Sequence, residues 1–172
     1  VVEPPVRIVL VGFMGAGKTS VGMALAELLA WSFVDLDAVI EARAGRTIAE
    51  IFAHRGEPEF RELERAAAGD ALAEERLVLA AGGGAFAEKE TRALLRGSAA
   101  TVYLECDLET LLARVAPDGS RPLAGNRETM RRLLLAREPA YREADVTLNA
   151  ARGTPAELAI EVARALKVPL PG

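Results

Sequence analysis

The sequence predicts an α/β fold: a five-stranded parallel sheet covered by helices on both faces, in three α/β/α layers. Two observations carry this expectation. Short apolar runs alternate with stretches of helical periodicity along all 172 residues, the pattern of strand–crossover–strand units. The first apolar run, Val6–Val11, leads directly into Gly12-Phe13-Met14-Gly15-Ala16-Gly17-Lys18-Thr19, which fits G-x-x-x-x-G-K-[ST]. A helical pattern leaves from that turn. Strand, glycine-rich turn and helix in register mark a phosphate-binding loop rather than a chance run of glycines.

The elements follow in order. After strand Val6–Val11, a helix over Lys18–Ala30 places Val21, Ala24, Leu25, Leu28 and Leu29 on one face. Ser32–Asp35 reads as a short strand ending in Asp35-Leu36-Asp37. Helices are expected over Asp37–Ala44, Thr47–His54 and Glu57–Glu74, with Thr47 as an N-cap and Gly45 and Gly56 as stops. Leu77–Ala81 is a third strand, closed by Gly82-Gly83-Gly84, and a helix over Glu88–Arg96 precedes strand Ala100–Glu105. A short helix, Leu108–Val115, leads into the polar stretch 116–122. Arg127–Tyr141 is helical in pattern, with Pro139 expected to disturb or end it. Strand Val146–Asn149 and helix Pro155–Leu166 complete the chain. Neither repeats nor low-complexity linkers interrupt it, so one domain over residues 1–172 is expected.

Composition narrows the function classes. Half the residues are hydrophobic (51%), and the net charge is −4 with a pI near 5.2. An acidic balance argues against nonspecific nucleic-acid binding. The single Cys106 cannot form an internal disulfide and suits a reducing cytoplasm, and the single His54 excludes a histidine-rich metal site. No apolar run reaches the ~20 residues of a membrane span. The opening Val1-Val2-Glu3-Pro4-Pro5 lacks the charged start and apolar body of a secretion signal. Only Lys18, Lys89 and Lys167 are lysines among 21 basic residues. A lysine in the loop therefore carries more information than any one arginine.

Ligands of parallel sheets collect beyond the carboxyl ends of the strands. The phosphate loop, Asp35–Asp37 and Gly82–Gly84 all begin at such ends, so they are expected to line one crevice. Backbone N–H groups of Gly12, Gly15, Ala16 and Gly17, the dipole of the following helix, and the Lys18 ammonium suit nucleotide phosphates. Thr19 and Ser20 belong to the same contact set, with the Thr19 hydroxyl a Mg²⁺ ligand. Asp37 is assigned to an acceptor hydroxyl as base, and Asp35 to Mg²⁺, through water. The competing role for Asp37 is a helix N-cap. Gly82–Gly84 is either a bare turn or a place where backbone amides approach a ligand. Read locally, Phe60–Glu64 is a solvated charged face with ion pairs among Arg61, Glu64 and Arg65, and Arg137 complements its helix end. Arg121, in the most loop-like stretch, suits a mobile lid over about 115–126 that excludes water and neutralises charge on the transferring group.

The order of these pieces resembles shikimate kinase, from about Arg7 to Leu166. The likeness rests on Gly12–Thr19, Asp35-Leu36-Asp37, Ile48-Ala49-Glu50-Ile51-Phe52, Gly56-Glu57 with Phe60-Arg61-Glu62-Leu63-Glu64, Gly82–Gly84, Arg121-Pro122-Leu123, and Arg137 with Tyr141–Asp145. The resemblance implies a P-loop NTPase-type kinase that converts ATP and shikimate to ADP and 3-phosphoshikimate in chorismate and aromatic amino-acid biosynthesis. It implies a cytoplasmic monomer with substrate-binding helices over about 37–75. Arg61 and Arg137 would hold the substrate carboxylate, a job the planar guanidinium suits. Asp37 would bind ring hydroxyls and act as base, with Lys18 and the lid's Arg121 at the phosphates as the other catalytic groups. Gly82, Gly83 and Gly84 would lie against the substrate, Glu64 would orient Arg61 or touch a hydroxyl, and Phe52 and Phe60 would face the carbocycle. Arg114 resembles the arginine that stacks on adenine, and Arg152 falls near the other adenine contacts. An acid at the end of the third strand, common in P-loop proteins, is missing. Mg²⁺ then relies on Thr19, Asp35, phosphate oxygens and water.

Two other readings stay open at this point. A gluconate-type kinase would look similar in fold and D-x-D but does not account for two well-placed arginines with Phe60–Glu64. A nucleotide-binding regulator would keep the loop and perform no transfer.

Overall fold

The computed structural model describes residues 3–114 and 127–172. Its elements are β1 (Arg7–Val11), α1 (Lys18–Leu29), β2 (Ser32–Asp35), α2 (Leu36–Ala44), α3 (Ile48–Ala71), β3 (Leu77–Ala80), α4 (Lys89–Ser98), β4 (Ala100–Glu105), α5 (Leu108–Arg114), α6 (Arg127–Tyr141), β5 (Val146–Asn149) and α7 (Pro155–Ala165). The expected lid, with Arg121, lies outside the described residues.

The five strands form one parallel sheet in the order β2-β3-β1-β4-β5. Successive side chains of a strand point to opposite faces, yet all of Ile8–Val11 are 0% exposed. Both faces are therefore covered, as three layers require. α1 packs along α7 and against β1, β2 and β3, while α4 packs against β4 and α3. The register aligns the strand ends: Ala80 of β3 sits between Leu10 of β1 and Asp35 of β2. This single fact brings the turns after β1, β2 and β3 to one edge of the sheet.

Two differences from the sequence reading have local reasons; the other described element ends shift by at most three residues. α2 begins at Leu36, because Asp35 caps it by accepting the Ala38 N–H at 3.3 Å. The two expected helices around Gly56 are one kinked element, α3, with Gly56 alone non-helical at φ 80° and ψ 168°. Pro58 then falls in the first turn of the second half, where a missing N–H costs little. α6 spans Arg127–Tyr141 as expected, uninterrupted by Pro139. The proline lies in the last turn, so only one helical hydrogen bond is forfeited. Thr47 caps α3 through the Glu50 N–H, and Gly45 closes α2 with φ 63°, as expected. No described helix is long and apolar enough to cross a membrane.

Packing of α1 on the sheet is tight at Gly22, where an added Cβ would lie 2.6 Å from the Phe33 ring and 3.5 Å from Leu10. Gly22→Ala therefore destabilises the fold by ~1–2 kcal/mol in urea unfolding, overpacking outweighing the better helix propensity of alanine. Gly22→Ala with Phe33→Leu recovers most of that loss. A stabilised single mutant would contradict the packing described.

Candidate active site

The phosphate loop takes its shape from its glycines. Gly15 and Gly17 hold φ of 81° and 97°, a region that side chains rarely tolerate. Gly12 passes so close to β4 that a Cβ would lie 2.9 Å from the Leu104 carbonyl oxygen. Gly17 offers α1 no side-chain cap, so the first-turn N–H groups and the positive helix end are left for an anion. Lys18 folds back over the loop, its Nζ donating to the carbonyls of Gly12 at 2.7 Å and Phe13 at 2.9 Å. The Thr19 hydroxyl donates to Asp35 Oδ2 at 3.1 Å. Arg114 reaches in from α5, donating to Ala16 O at 3.3 Å and to Ala150 O, in the turn after β5, at 2.8 Å. Arg152, two residues further on, is exposed in that turn.

Capping of α2 by Asp35 releases Asp37 from that duty. Its carboxylate turns toward Gly82, where an added Cβ would lie 2.6 Å from Asp37 Oδ1 and 3.3 Å from Glu64 Oε2. The next two glycines repeat the theme. A Cβ on Gly83 would meet Arg137 Nη1 at 3.2 Å, and one on Gly84 would overlap the Arg61 guanidinium, with Nη1 at 2.8 Å. None of the three has positive φ. Glycine is needed here for space, so that an acid and two cations from α2, α3 and α6 can close over the end of β3.

Each charge has a counterweight. Arg61 Nη1 donates to Glu64 Oε1 at 2.8 Å and Nη2 to Glu57 Oε1 at 3.3 Å, and its guanidinium lies 5.2 Å from the Phe60 ring centroid. Glu64 is 1% exposed. Burial raises its pKa against the opposing pull of Arg61. Burial also works against the Arg61 charge, but Glu64 and Glu57 outweigh it and hold Arg61 above its ordinary value. Arg137 sits 5.7 Å from the Phe13 ring centroid. Asp37 is raised above the ordinary aspartate value, chiefly by burial and then by Asp35, with Lys18 pulling the other way. A raised carboxylate is a better proton acceptor.

Two adjoining cavities result. One, about 740 Å³, is lined by Gly15, Gly17, Lys18, Thr19, Ser20, Asp35 and Arg114. The other, about 730 Å³, is lined by Phe52, Phe60, Arg61, Glu64, Gly82–Gly84 and Arg137. Asp37, Met14, Ile48, Ala49 and Gly83 border both. The Phe52 and Phe60 rings, with centroids 4.6 Å apart, give the second cavity an apolar wall.

The crevice expected from topology is therefore present, with Asp37, Arg61 and Arg137 on one cavity wall. Arg121 lies outside the described residues, and the Arg152 side chain makes no hydrogen bond or ion pair among them. Met14, a variable position of the loop motif that borders both cavities, was absent from the sequence reading. So was Glu57 as a partner of Arg61, although its i,i+4 spacing is a readable signal. Among the described residues no three His, Cys, Asp or Glu side chains cluster to hold a metal. Cys106 is buried, with its thiol pKa raised by burial.

The Asp37 shift has a measurable consequence. The folded chain binds its proton more tightly than the unfolded chain. Asp37 thus contributes stability below pH ~3.9, and that contribution is lost as pH rises through the higher folded value. Asp37→Asn should raise the thermal midpoint at pH 7 by a few degrees, the gain shrinking as pH falls toward 4. A midpoint lowered at pH 7 would show that the carboxylate stabilises the fold instead.

Comparison with known proteins extends this geometry. The sequence model of the family described as shikimate kinase matches residues 14–167. The shikimate kinase of Cereibacter sphaeroides is 46% identical over 162 residues, covering 92% of this chain and 81% of that protein. The structure of a shikimate kinase from Acinetobacter baumannii in complex with shikimate superposes with a TM-score of 0.89 at 39% identity, covering 95% of this chain and 93% of that one. A gluconokinase from Sinorhizobium meliloti reaches a TM-score of 0.67 at 25% identity, over 96% of this chain and 94% of its own. With the family model spanning all but the ends and a named relative matching nine-tenths of the sequence, this chain belongs to the shikimate kinase family.

Proposed function

We infer that this chain transfers the terminal phosphoryl group of ATP to the 3-hydroxyl of shikimate, giving ADP and 3-phosphoshikimate. The observation that carries this is the meeting of Asp37, Arg61 and Arg137 over Gly82–Gly84, in a cavity that opens onto the phosphate loop. A cyclic, polyhydroxylated carboxylic acid matches that wall: two guanidinium groups for the carboxylate, Phe52 and Phe60 for the ring, and an acid at the far end for a hydroxyl.

In this reading the loop amides and the Lys18 ammonium hold the phosphates, with Arg114 and Arg152 on the adenine side. Asp37 accepts the proton of the attacking hydroxyl as its oxygen bonds to phosphorus and the bond to ADP breaks. Glu64 keeps Arg61 aimed at the carboxylate. Arg121, outside the described residues, would meet the transferring group. The Thr19 hydroxyl and Asp35 carboxylate, 3.1 Å apart at the loop, fit two oxygen positions of a Mg²⁺ ion completed by phosphate and water. The ion would neutralise phosphate charge there. We read the chain as a single-domain monomer of the cytoplasm with neither a nucleic-acid nor a membrane partner, in keeping with its net charge of −4. The gluconate-type reading offers an open-chain polyol and no ring to the Phe52 and Phe60 wall, and a non-catalytic regulator gives no use to Asp37.

An ADP-release assay against shikimate, quinate and gluconate tests the proposal. Shikimate should dominate; ADP release that ignores the acceptor would reject it. Arg61→Ala should raise the shikimate KM by one to two orders of magnitude, the loss expected for a charged hydrogen-bond partner, with the ATP KM little changed. Lys18→Ala should abolish transfer, and Asp37→Asn should lower turnover far more than ATP affinity.

A further inference from the structure

Tyr141 borders neither cavity, is 0% exposed, and stacks on Tyr103 with ring centroids 5.0 Å apart. Its hydroxyl nevertheless touches the acceptor site from behind. It donates to the carbonyl oxygen of Gly83, and the Arg137 guanidinium, one turn earlier on α6, is near enough to pull against the burial of the phenol. A phenol has one donor hydrogen, and Gly83 takes it. Burial pushes the phenol pKa up to about 12, so the donor stays protonated under working conditions.

The geometry beyond Gly83 gives this contact its meaning. Among the described residues no peptide bond is cis. In a trans peptide the Gly83 carbonyl and the Gly84 N–H point in opposite directions. Tying the carbonyl to the buried phenol therefore turns the Gly84 N–H away from it. Among the described residues that N–H meets no backbone carbonyl, and Gly84 lines the acceptor cavity. We propose that Tyr141 is a positioning residue for the acceptor, whose one hydroxyl fixes both the direction of the Gly84 N–H and the aim of the Arg137 guanidinium. The proposal rests on the reading of this cavity as the shikimate site. It adds a residue that touches no substrate and sets two groups that do.

The test is Tyr141→Phe in the full chain, which removes the oxygen and keeps the ring stack. The shikimate KM should rise about tenfold, the scale of one buried hydrogen bond with its partners left unpaired. The ATP KM and the far-UV signature should stay as in the wild type. Tyr103→Phe removes a hydroxyl from the same stack without touching Gly83 or Arg137, and should leave the shikimate KM unchanged. An unaltered shikimate KM in Tyr141→Phe, equal rises for both substrates, or an equal effect of Tyr103→Phe would each overturn the proposal. Should Tyr141→Phe not fold, NMR of the wild type decides. A slowly exchanging Tyr141 hydroxyl proton that shifts on adding shikimate supports the proposal, and a resonance indifferent to shikimate overturns it. A wild type inactive on shikimate removes the functional reading and this proposal together. An active wild type with a normal Tyr141→Phe removes the proposal alone.

Discussion

The acceptor site depends on crowding over the end of β3, where three residues without side chains leave room for three charged groups. Asp37 stands over Gly82, Arg137 over Gly83 and Arg61 over Gly84, each at a distance that an added Cβ would violate or strain. Because Ala80 aligns with Leu10 and Asp35, the same edge also receives the phosphate loop and the start of α2. Remove the glycines and the groups separate; shift the strand register and they never meet.

Such crowding is costly, and the surroundings show how the cost is met. Burying a cation needs a partner with good geometry, and Glu64, almost wholly buried, supplies it to Arg61. Arg137 rests against the Phe13 ring, an attraction worth ~0.5–2 kcal/mol. Asp37 has no side-chain hydrogen bond among the described residues, and burial leaves its proton affinity high. The least relieved member of the group, with only Lys18 and Arg61 pulling against its burial, is thus the one that chemistry asks to accept a proton. Stability has been traded for reactivity at that position, a common arrangement in enzyme sites.

Much of this was legible in the sequence, and the gaps have physical causes. The loop motif announced itself because strand, turn and helix each impose a residue requirement there. The alternation of strands and helices gave the parallel sheet, and topology gave the crevice. Arg61 was different: within its own helix it looks like a solvated ion-pair residue, and in the sequence only the family resemblance assigned it to the carboxylate, because its place across from Gly84 is a tertiary fact. Gly82–Gly84 reads as a bare turn or as amides near a ligand, whereas the fold adds a spatial role set by side chains far away in sequence. Asp35 and Asp37 are two residues apart, and which one caps α2 depends on where β2 ends, a boundary that local pattern fixes poorly. The bounds of α6, Arg127–Tyr141, were readable, but not whether Pro139 would interrupt the helix; in the last turn it does not. Met14 escaped because the motif leaves its position variable.

The central claim is that one acid and two arginines from separate helices act on a single acceptor beside the phosphate loop. The position of shikimate in a crystal structure with ADP tests it most directly. The account predicts the carboxylate between Arg61 and Arg137, and one ring hydroxyl within ~2.6–3.2 Å of the Asp37 carboxylate, facing the loop. A bound shikimate whose carboxylate lies away from both arginines, or whose hydroxyls all lie out of reach of Asp37, would contradict it.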